Sequence, residues 1–571
     1  MFRSIAGGKR LVHLTEAFDF DGYNVTKVTT YNNRTGIVAE SRSVRNYDTG
    51  LPKKVYYLEG SPYEAGYLMG CLAEAEISRM MDYTDRVVFS FIGSKVLEKM
   101  KLIQEALIRL IYEMSKTTWK QLPKVLTDEI EGMVDGCRKS NPQTRVDLEH
   151  LIVLNTGIDI ICSMVYSGNF LRRDLLGMEP EDFRVPIMCN AFTVCGKSAG
   201  NGYYFGRDFT FPSSDVFQDT AAPVIYNPAG SEANSDWGAA VPFVNISAPG
   251  MVGSIAAMNM EGVAFGVNMS PGANCNPGNI GVNSLLMARM CVQYCRSAEE
   301  AASLMTRLPR GVSWLYVIAD GKSSRSCAAE AGATMPQPDL TMIADEQVRQ
   351  MLPDMAYIEN HRTLPFNDGI MFRWNDYRYP YNYLAFNQQL WKLYNEKHHT
   401  AKVINTDAFS QNGYINRTGE QNCPSTFYFA PQREVSDEIL VVTNHYIIPE
   451  MRYFAMHRWT ERVIGVRVND IQWRYDELNR LIWDTLNTKG SIGFADAKNL
   501  ISFLAPYGKN KNYYAKNPRS KDGREIRIEG CLSVFDLKKL IVESHYGYYC
   551  DKWVRLTLPE YFGLQHTVEW Q

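Results

Sequence analysis

Between residues 96 and 137 apolar side chains recur three and four apart, first in VLEKMKLIQEALIRLIYEM and again in LTDEIEGMVDGC. That period lines one face of a helix, so the chain to about residue 165 is expected to be largely helical. Ahead of it, KKVYYLEGSPYEAGYLMGCLAEAEI reads as a short strand, a Gly-Ser-Pro turn and a helix, and residues up to about 50 read as polar and irregular.

After a charged loop, LRRDLLGMEPEDFR, the texture changes. Short β-type runs bounded by turn residues follow one another: NAFTVCG, YYFGRDF, PVIYN, PFVNISAPG, GSIAAMN, GVAFGVN, WLYVIAD and SCAAEAG. This spacing predicts antiparallel hairpins. Helical patterns interrupt them at NSLLMARMCVQYC with AEEAASLMTRL, and later at DELNRLIWDTLN with FADAKNLISFL. Strands, helices and strands in that order predict an α+β fold in which helices cover sheets in layers. Residues from about 340 to 432, rich in Tyr, Asn and Arg, have no clear period and read as an insertion. The chain divides at residue 188: a helix-rich N-terminal segment, 1–188, packs on a core formed by 189–571.

Composition narrows the function. The 571 residues are 45% hydrophobic and 22% charged, with net charge -3. That balance gives no electrostatic reason to expect a nucleic acid partner. No apolar run is expected to approach the ~18 residues of a spanning helix, and the start, MFRSIAGGKRLVHL, lacks the apolar core of a signal peptide. A cytoplasmic protein without a transmembrane segment is expected. The twelve cysteines include no CxxC pair, and Cys291 and Cys295 have no histidine close in sequence, so neither a metal nor another cofactor is expected. Sequons at Asn24, Asn33, Asn245, Asn268 and Asn416 matter only in a secretory compartment.

The candidate chemistry centres on VPIMCNAFTV. A thiolate attacking an amide or ester carbonyl needs a base, oxyanion donors and a group that holds the base. If Cys189 becomes an N-terminus, its α-amine, with a pKa near ~8, supplies the base. Arg207 follows 18 positions later in FGRDFTF, at the far end of a hairpin turning at Ser198–Gly202. The returning strand brings Arg207 and Asp208 back beside Cys189, where an arginine depresses the thiol pKa and a carboxylate holds the amine. The ordinary alternative is a surface ion pair. Asn268, closing a strand in MNMEGVAFGVNMSPG, and Asn444, closing EILVVTNH, are candidate amide donors to an oxyanion; each alone reads better as a turn-forming asparagine, and it is their occurrence together with Cys189 that favours the donor reading.

Taken in order, these segments resemble the autoproteolytic cysteine N-terminal-nucleophile (Ntn) hydrolases and acyltransferases typified by isopenicillin N acyltransferase, and more distantly the choloylglycine hydrolase and acid ceramidase group. The resemblance runs through LEGSPYEAGYLMG, Cys189, NGYYFGRD, MNMEGVAFGVNMSPG, NSLLMARM, WLYVIADG, VVTNH and QWRYDELNRLIWDTL, roughly residues 54 to 560 outside the insertion. It implies a four-layer αββα sandwich, with Cys189 as nucleophile, Arg207 beside the sulfur, and Asn268 and Asn444 as oxyanion or substrate-positioning residues. It also implies an aspartate three residues after the arginine; here that place is Thr210, and Asp208, on the same strand face, is the expected substitute. For the family's C-terminal arginine the nearest candidate is Arg555.

A papain-like protease would carry its cysteine at a helix N-terminus, which Cys189 does not. Cys195 is read as structural and His445 as a supporting residue. The expected reaction is acyl transfer from a small amide or acyl thioester to water or an amine, after self-cleavage at Met188-Cys189 into two fragments that stay associated. The alternatives are an inactive relative that binds a small amide or lipid, and a phospholipase-type acyl hydrolase. Tyr377, Tyr379, Tyr381 and Tyr383 offer an acyl pocket, a lid, or plain packing.

Overall fold

The computed structural model describes residues 7–46, 49–92, 101–167, 188–212, 216–229, 234–282, 284–342, 349–350, 355–378, 436–455, 470–503, 528–546 and 552–563. The charged loop before Cys189, most of the insertion with Tyr379, Tyr381 and Tyr383, and the Asn416 sequon lie outside the described residues.

The N-terminal segment runs α1 (Gly7–Phe20), β1 (Tyr23–Tyr31), β2 (Arg34–Arg45), β3 (Pro52–Gly60), α2 (Pro62–Ile92), α3 (Lys101–Trp119), α4 (Lys124–Ser140) and α5 (Leu148–Tyr166). Residues before 50 are therefore regular, contrary to the expectation from their polarity. Their strand β1 is largely exposed, so its polar residues are those of a solvated hairpin. The turn between β1 and β2 uses Asn32 and Asn33, both at positive φ, which asparagine tolerates.

Helices α2 and α4 meet backbone to backbone. A Cβ at Gly66, Gly70, Gly132 or Gly136 would fall 1.9 to 2.2 Å from a carbonyl oxygen of the facing helix. Helix α5 begins at Asp147, whose carboxylate accepts from the His150 N–H at 2.9 Å. By length and composition α5 is apolar enough to cross a membrane, which corrects the expectation that no run reaches that size. Most of it is buried inside the protein, and it carries Asn155, Asp159 and Ser163 hydrogen-bonded to the core around it, as a central core helix does.

Beyond residue 187 come β4 (Met188–Cys195), β5 (Tyr203–Pro212), β6 (Ala222–Pro228), the two-residue pair β7 (Asn234–Ser235) and β8 (Gly238–Ala239), β9 (Phe243–Ser247), β10 (Ala256–Asn259) and β11 (Val263–Met269). Next are α6 (Ser284–Tyr294), α7 (Ala298–Arg307), β12 (Trp314–Asp320), β13 (Arg325–Ala331), β14 (Ile370–Trp374) and β15 (Ile439–Val442). The chain closes with α8 (Asp470–Lys489), α9 (Phe494–Phe503), β16 (Ile528–Asp536), β17 (Ile541–Tyr546) and β18 (Val554–Thr557).

These strands build a ten-stranded sheet in the order β1-β2-β3-β6-β9-β10-β11-β12-β13-β14 and a six-stranded sheet in the order β15-β4-β5-β16-β17-β18. Strand β11 lies over β4 and β5, with α6 and α7 outside the large sheet and α8 and α9 outside the small one. The fold is the α+β, four-layer αββα sandwich. Strands β11 and β12 are buried along their whole length, which is why GVAFGVN and WLYVIAD read as apolar runs rather than alternating ones. Strand β14 sits inside the span read as an insertion yet pairs with β13, so residues 370–374 belong to the large sheet.

The N-terminal segment is woven into this core. Strand β3 pairs in parallel with β6, from Tyr56↔Val224 to Gly60↔Pro228. Glu129 in α4 forms a buried ion pair with Arg289 in α6 at 2.6 Å and accepts from the Tyr226 hydroxyl at 2.7 Å.

Candidate functional site

Cys189 is the second residue of β4 and pairs with Phe209 in β5, while Ala191 pairs with Arg207. Strand alternation therefore puts Cys189 and Arg207 on one face, diagonal neighbours between the two sheets. The hairpin that returns β5 passes through a turn at Gly196–Ala199, then Gly200 and Asn201, both left-handed at φ 56° and 66°. Arg207 is fully buried. It fits because β11 offers Gly266: a Cβ there would lie 2.6 Å from Arg207 Cδ. Its Nη1 donates to the carbonyls of Asn190, at 3.4 Å, and Asp208. Nε and Nη2 have no hydrogen-bond partner among the described residues. Burial lowers the Arg207 pKa, and Cys189 is the neighbour that most strongly opposes that shift.

Asp208 lies on the opposite face. The same alternation that brings Arg207 to the sulfur turns Asp208 and Thr210 toward α8, alongside Asn190. Asp208 Oδ2 accepts from Asn190 Nδ2 at 2.9 Å and Oδ1 accepts from Thr210 Oγ1 at 2.8 Å. Burial pushes its carboxyl up to about 6, against the lowering effect of Thr210, Arg207 and Asn190.

Asn444, two residues past β15, meets the Cys189 nitrogen directly. Its Oδ1 accepts from the Cys189 N–H at 3.0 Å, and its Nδ2 donates to Met269 O at 2.7 Å. Asn268 donates to Thr443 O at 2.6 Å, and its own Oδ1 has no hydrogen-bond partner among the described residues. So Asn444 touches Cys189, whereas Asn268 reaches the site through the residue beside Asn444.

Sequence reasoning missed Arg474. From α8 its Nη1 donates to Cys189 O at 2.8 Å and to Asn190 Oδ1 at 2.7 Å, and its Nη2 donates to Asn444 Oδ1 at 2.9 Å. A signal was present. Ile471, Arg474, Tyr475, Leu478 and Ile482 form the buried stripe of α8, and a lone arginine in such a stripe needs acceptors. Arg555, the residue first matched to this role, is two strands beyond β5's neighbour β16, in β18; it pairs with Glu543 at 3.5 Å and is about half exposed. That placement corrects the assignment.

Cys195, at the far end of β4, has its sulfur against the carbonyls of Ser324 and Glu438 at 3.4 and 3.6 Å, and burial pushes its thiol up to about 12. His445 Nδ1 is 3.1 Å from Thr443 Oγ1, and its ring meets Tyr475 edge-on. Tyr377 is buried in the cluster between the small sheet and α8, so this tyrosine packs against the main domain. Among the described residues no group of three or more His, Cys, Asp or Glu is arranged to hold a metal ion.

Residues 236–351 match the model of the acyl-coenzyme A:6-aminopenicillanic acid acyl-transferase family. The resemblance to the isopenicillin N acyltransferase group is thereby borne out over that segment, which holds Asn268 but not Cys189, Arg207, Asp208 or Asn444. An uncharacterised protein of Archaeoglobus fulgidus is 28% identical over 512 residues, 90% of this chain; the alignment covers 66% of the relative's own length. Two variant crystal structures of conjugated bile acid hydrolase from Clostridium perfringens superpose with a TM-score of 0.32 at 9% identity, covering 66% of this chain and 95% of theirs.

Proposed function

We propose that the chain is a cysteine-nucleophile amide hydrolase or acyltransferase that exposes its nucleophile by cutting itself before Cys189. The observation that carries this reading is the hydrogen bond from Cys189 N to Asn444 Oδ1, with Arg207 on the sulfur's side of the strand. An oxygen acceptor held on that nitrogen keeps a grip on it as an amide N–H and, after cleavage, as an amine.

In the first event the Cys189 thiol attacks the carbonyl carbon of Met188. The C–N bond breaks, the nitrogen takes the thiol proton, and the acyl group rests on sulfur as a thioester. Water hydrolyses that thioester to a Met188 carboxylate and a free thiol. In turnover the α-amine takes the thiol proton, sulfur attacks a substrate amide or acyl thioester, and the proton passes to the leaving group. Water or an amine then takes the acyl group from sulfur. The positive charge of Arg207 favours the thiolate. The acyl donor is a small amide or an acyl thioester, the latter in keeping with the acyl-coenzyme A of the family's description.

The two pieces, about 21 and about 44 kDa of the 65.0 kDa chain in proportion to residue number, stay together. Strand β3 remains hydrogen-bonded to β6, and Glu129 remains paired with Arg289. A denaturing gel of purified active protein tests the reading: two bands are expected, the larger starting Cys-Asn-Ala-Phe-Thr, with an acyl adduct on Cys189 after exposure to donor. Active protein that stays a single chain would falsify the self-processing step.

A further inference from the structure

We propose that the buried pair Glu330–Arg373 is a positioning device for the nucleophile, acting through the segment that carries Asn444. The proposal rests on Cys189 being the nucleophile. Glu330 in β13 and Arg373 in β14 are diagonal cross-strand neighbours, since Glu330 pairs with Met371 and Ala328 with Arg373. Both are buried, and Arg373 Nε stands 3.5 Å from Glu330 Oε1.

Each partner then reaches to one side of Asn444. Arg373 Nη2 donates to Val441 O at 3.1 Å. Glu330 accepts from Ile447 N at 2.9 Å and from Ile448 N at 3.1 Å. Val441 lies three residues before Asn444 and Ile447 three after. A third tie, from the Tyr446 hydroxyl to Ala331 O at 2.8 Å, anchors the same turn to β13. The large sheet thus grips both sides of a short turn whose middle residue accepts from Cys189 N.

A buried ion pair is a poor source of stability, because desolvation offsets most of its attraction. What this pair supplies is direction: a carboxylate with two oxygens can hold two successive N–H groups of a turn, and an apolar side chain can hold neither. Burial pushes Glu330 up to about 7, although Arg373 and the Ile447 and Ile448 N–H groups lower it. The ionisable groups that act on Glu330 are Arg373 from β14 and Tyr446 from the turn itself. Protonation removes one acceptor oxygen from the grip.

The test is Glu330→Gln in the full chain, read by amide hydrogen exchange and by turnover. Exchange at Tyr446, Ile447 and Ile448 should speed up by about tenfold or more. The rate of acyl transfer to Cys189 should fall by about a hundredfold with KM little changed, because a displaced positioning group costs the chemical step. The α-amine's own titration lowers the rate of both proteins at low pH, but the further decline that the wild type shows around pH 7 should be missing from the variant. Unchanged exchange across 446–448, or unchanged turnover with an unchanged pH profile, overturns the proposal. If Cys189 forms no acyl adduct even in wild type, the functional reading fails, and exchange alone still decides the grip. If Glu330→Gln does not fold, the double variant Glu330→Leu/Arg373→Met, free of buried charge, carries the same measurements.

Discussion

Cys189 and Cys195 stand six residues apart on one strand, on one face, and both are buried, at 1% and 5% exposure. Their surroundings differ in every other respect. Cys195 is held against the carbonyls of Ser324 and Glu438, and the Glu438 carboxylate adds to the burial that drives its thiol up to about 12. Cys189 has a buried guanidinium on the side of its sulfur, an asparagine oxygen on its nitrogen and Arg474 on its carbonyl. Burial is therefore common to the two thiols, and the sign of the neighbouring charge, which governs thiolate formation, is what differs between them. Position matters equally. Near the start of β4 the Cys189 N–H donates to a side chain, Asn444 Oδ1, whereas at the far end the Cys195 N–H donates to a backbone carbonyl, that of Glu438.

The sharpest break between the two ends of β4 is Cys189→Ala. It should leave one uncut chain and lower acyl transfer by at least about a thousandfold, as loss of a nucleophile does. Mass spectrometry of the intact protein reads the cut, and a donor-turnover assay reads the rate. A cleaved, active Cys189→Ala protein would place the nucleophile elsewhere.

Next in size is Arg474→Gln. Arg474 ties together Cys189 O, Asn190 Oδ1 and Asn444 Oδ1, so its loss frees the strand opening from three sides at once. Self-cleavage should slow by about a hundredfold. Arg474→Lys should recover part of that rate, since one ammonium reaches fewer of the three acceptors. Time courses of band conversion on a gel decide it, with thermal melting as the check that the fold survives.

Much of this contrast was legible beforehand, and the reasons for the gaps are physical. Cys189 and Asn444 lie near strand ends and Arg207 within β5, in or beside apolar runs where period-two patterning and turn residues are informative. The face on which Asp208 lies depended on register, which the hairpin's 3₁₀ turn sets and residue counting alone does not. Arg474 was hidden because a helix announces its buried stripe through apolar residues, and an arginine inside the stripe reads as solvent-facing. The first fifty residues read as irregular because the exposed edge strand β1 is mostly polar and only a short run of β2, Gly36–Ala39, is continuously buried. Strand β14 escaped because IMFRW is short and surrounded by polar sequence.

A smaller effect separates the two faces of the strand pair. The Asp208 carboxylate accepts from Asn190 and Thr210 on the face away from the sulfur. Its folded pKa of about 6 exceeds the ordinary 3.8. A group raised in this way stabilises the fold at low pH and loses that contribution as pH rises through about 6. Asp208→Asn should accordingly gain stability relative to wild type as pH increases across that window. If the ionised carboxylate positions Asn190, the same variant should lose activity above pH 6, where the wild type is ionised, and match the wild type below it. Urea midpoints and rates measured over pH 4 to 8 would show opposite signs; parallel changes would mean that Asp208 serves stability alone.

The smallest expected effect belongs to the other thiol. Cys195→Ala removes a sulfur that makes two long contacts to carbonyls and packs between Tyr203 and the turn at Gly196. Deleting one buried atom of that size costs about 1 kcal/mol of stability. It should shift the urea midpoint slightly while self-cleavage and turnover remain at wild-type rates. In native wild-type protein, iodoacetamide should label Cys189 ahead of Cys195, because a thiol held up to about 12 supplies almost no thiolate at neutral pH. Equal labelling of the two, or loss of cutting in Cys195→Ala, would dissolve the distinction, since both cysteines would then draw on the same chemistry from opposite ends of one strand.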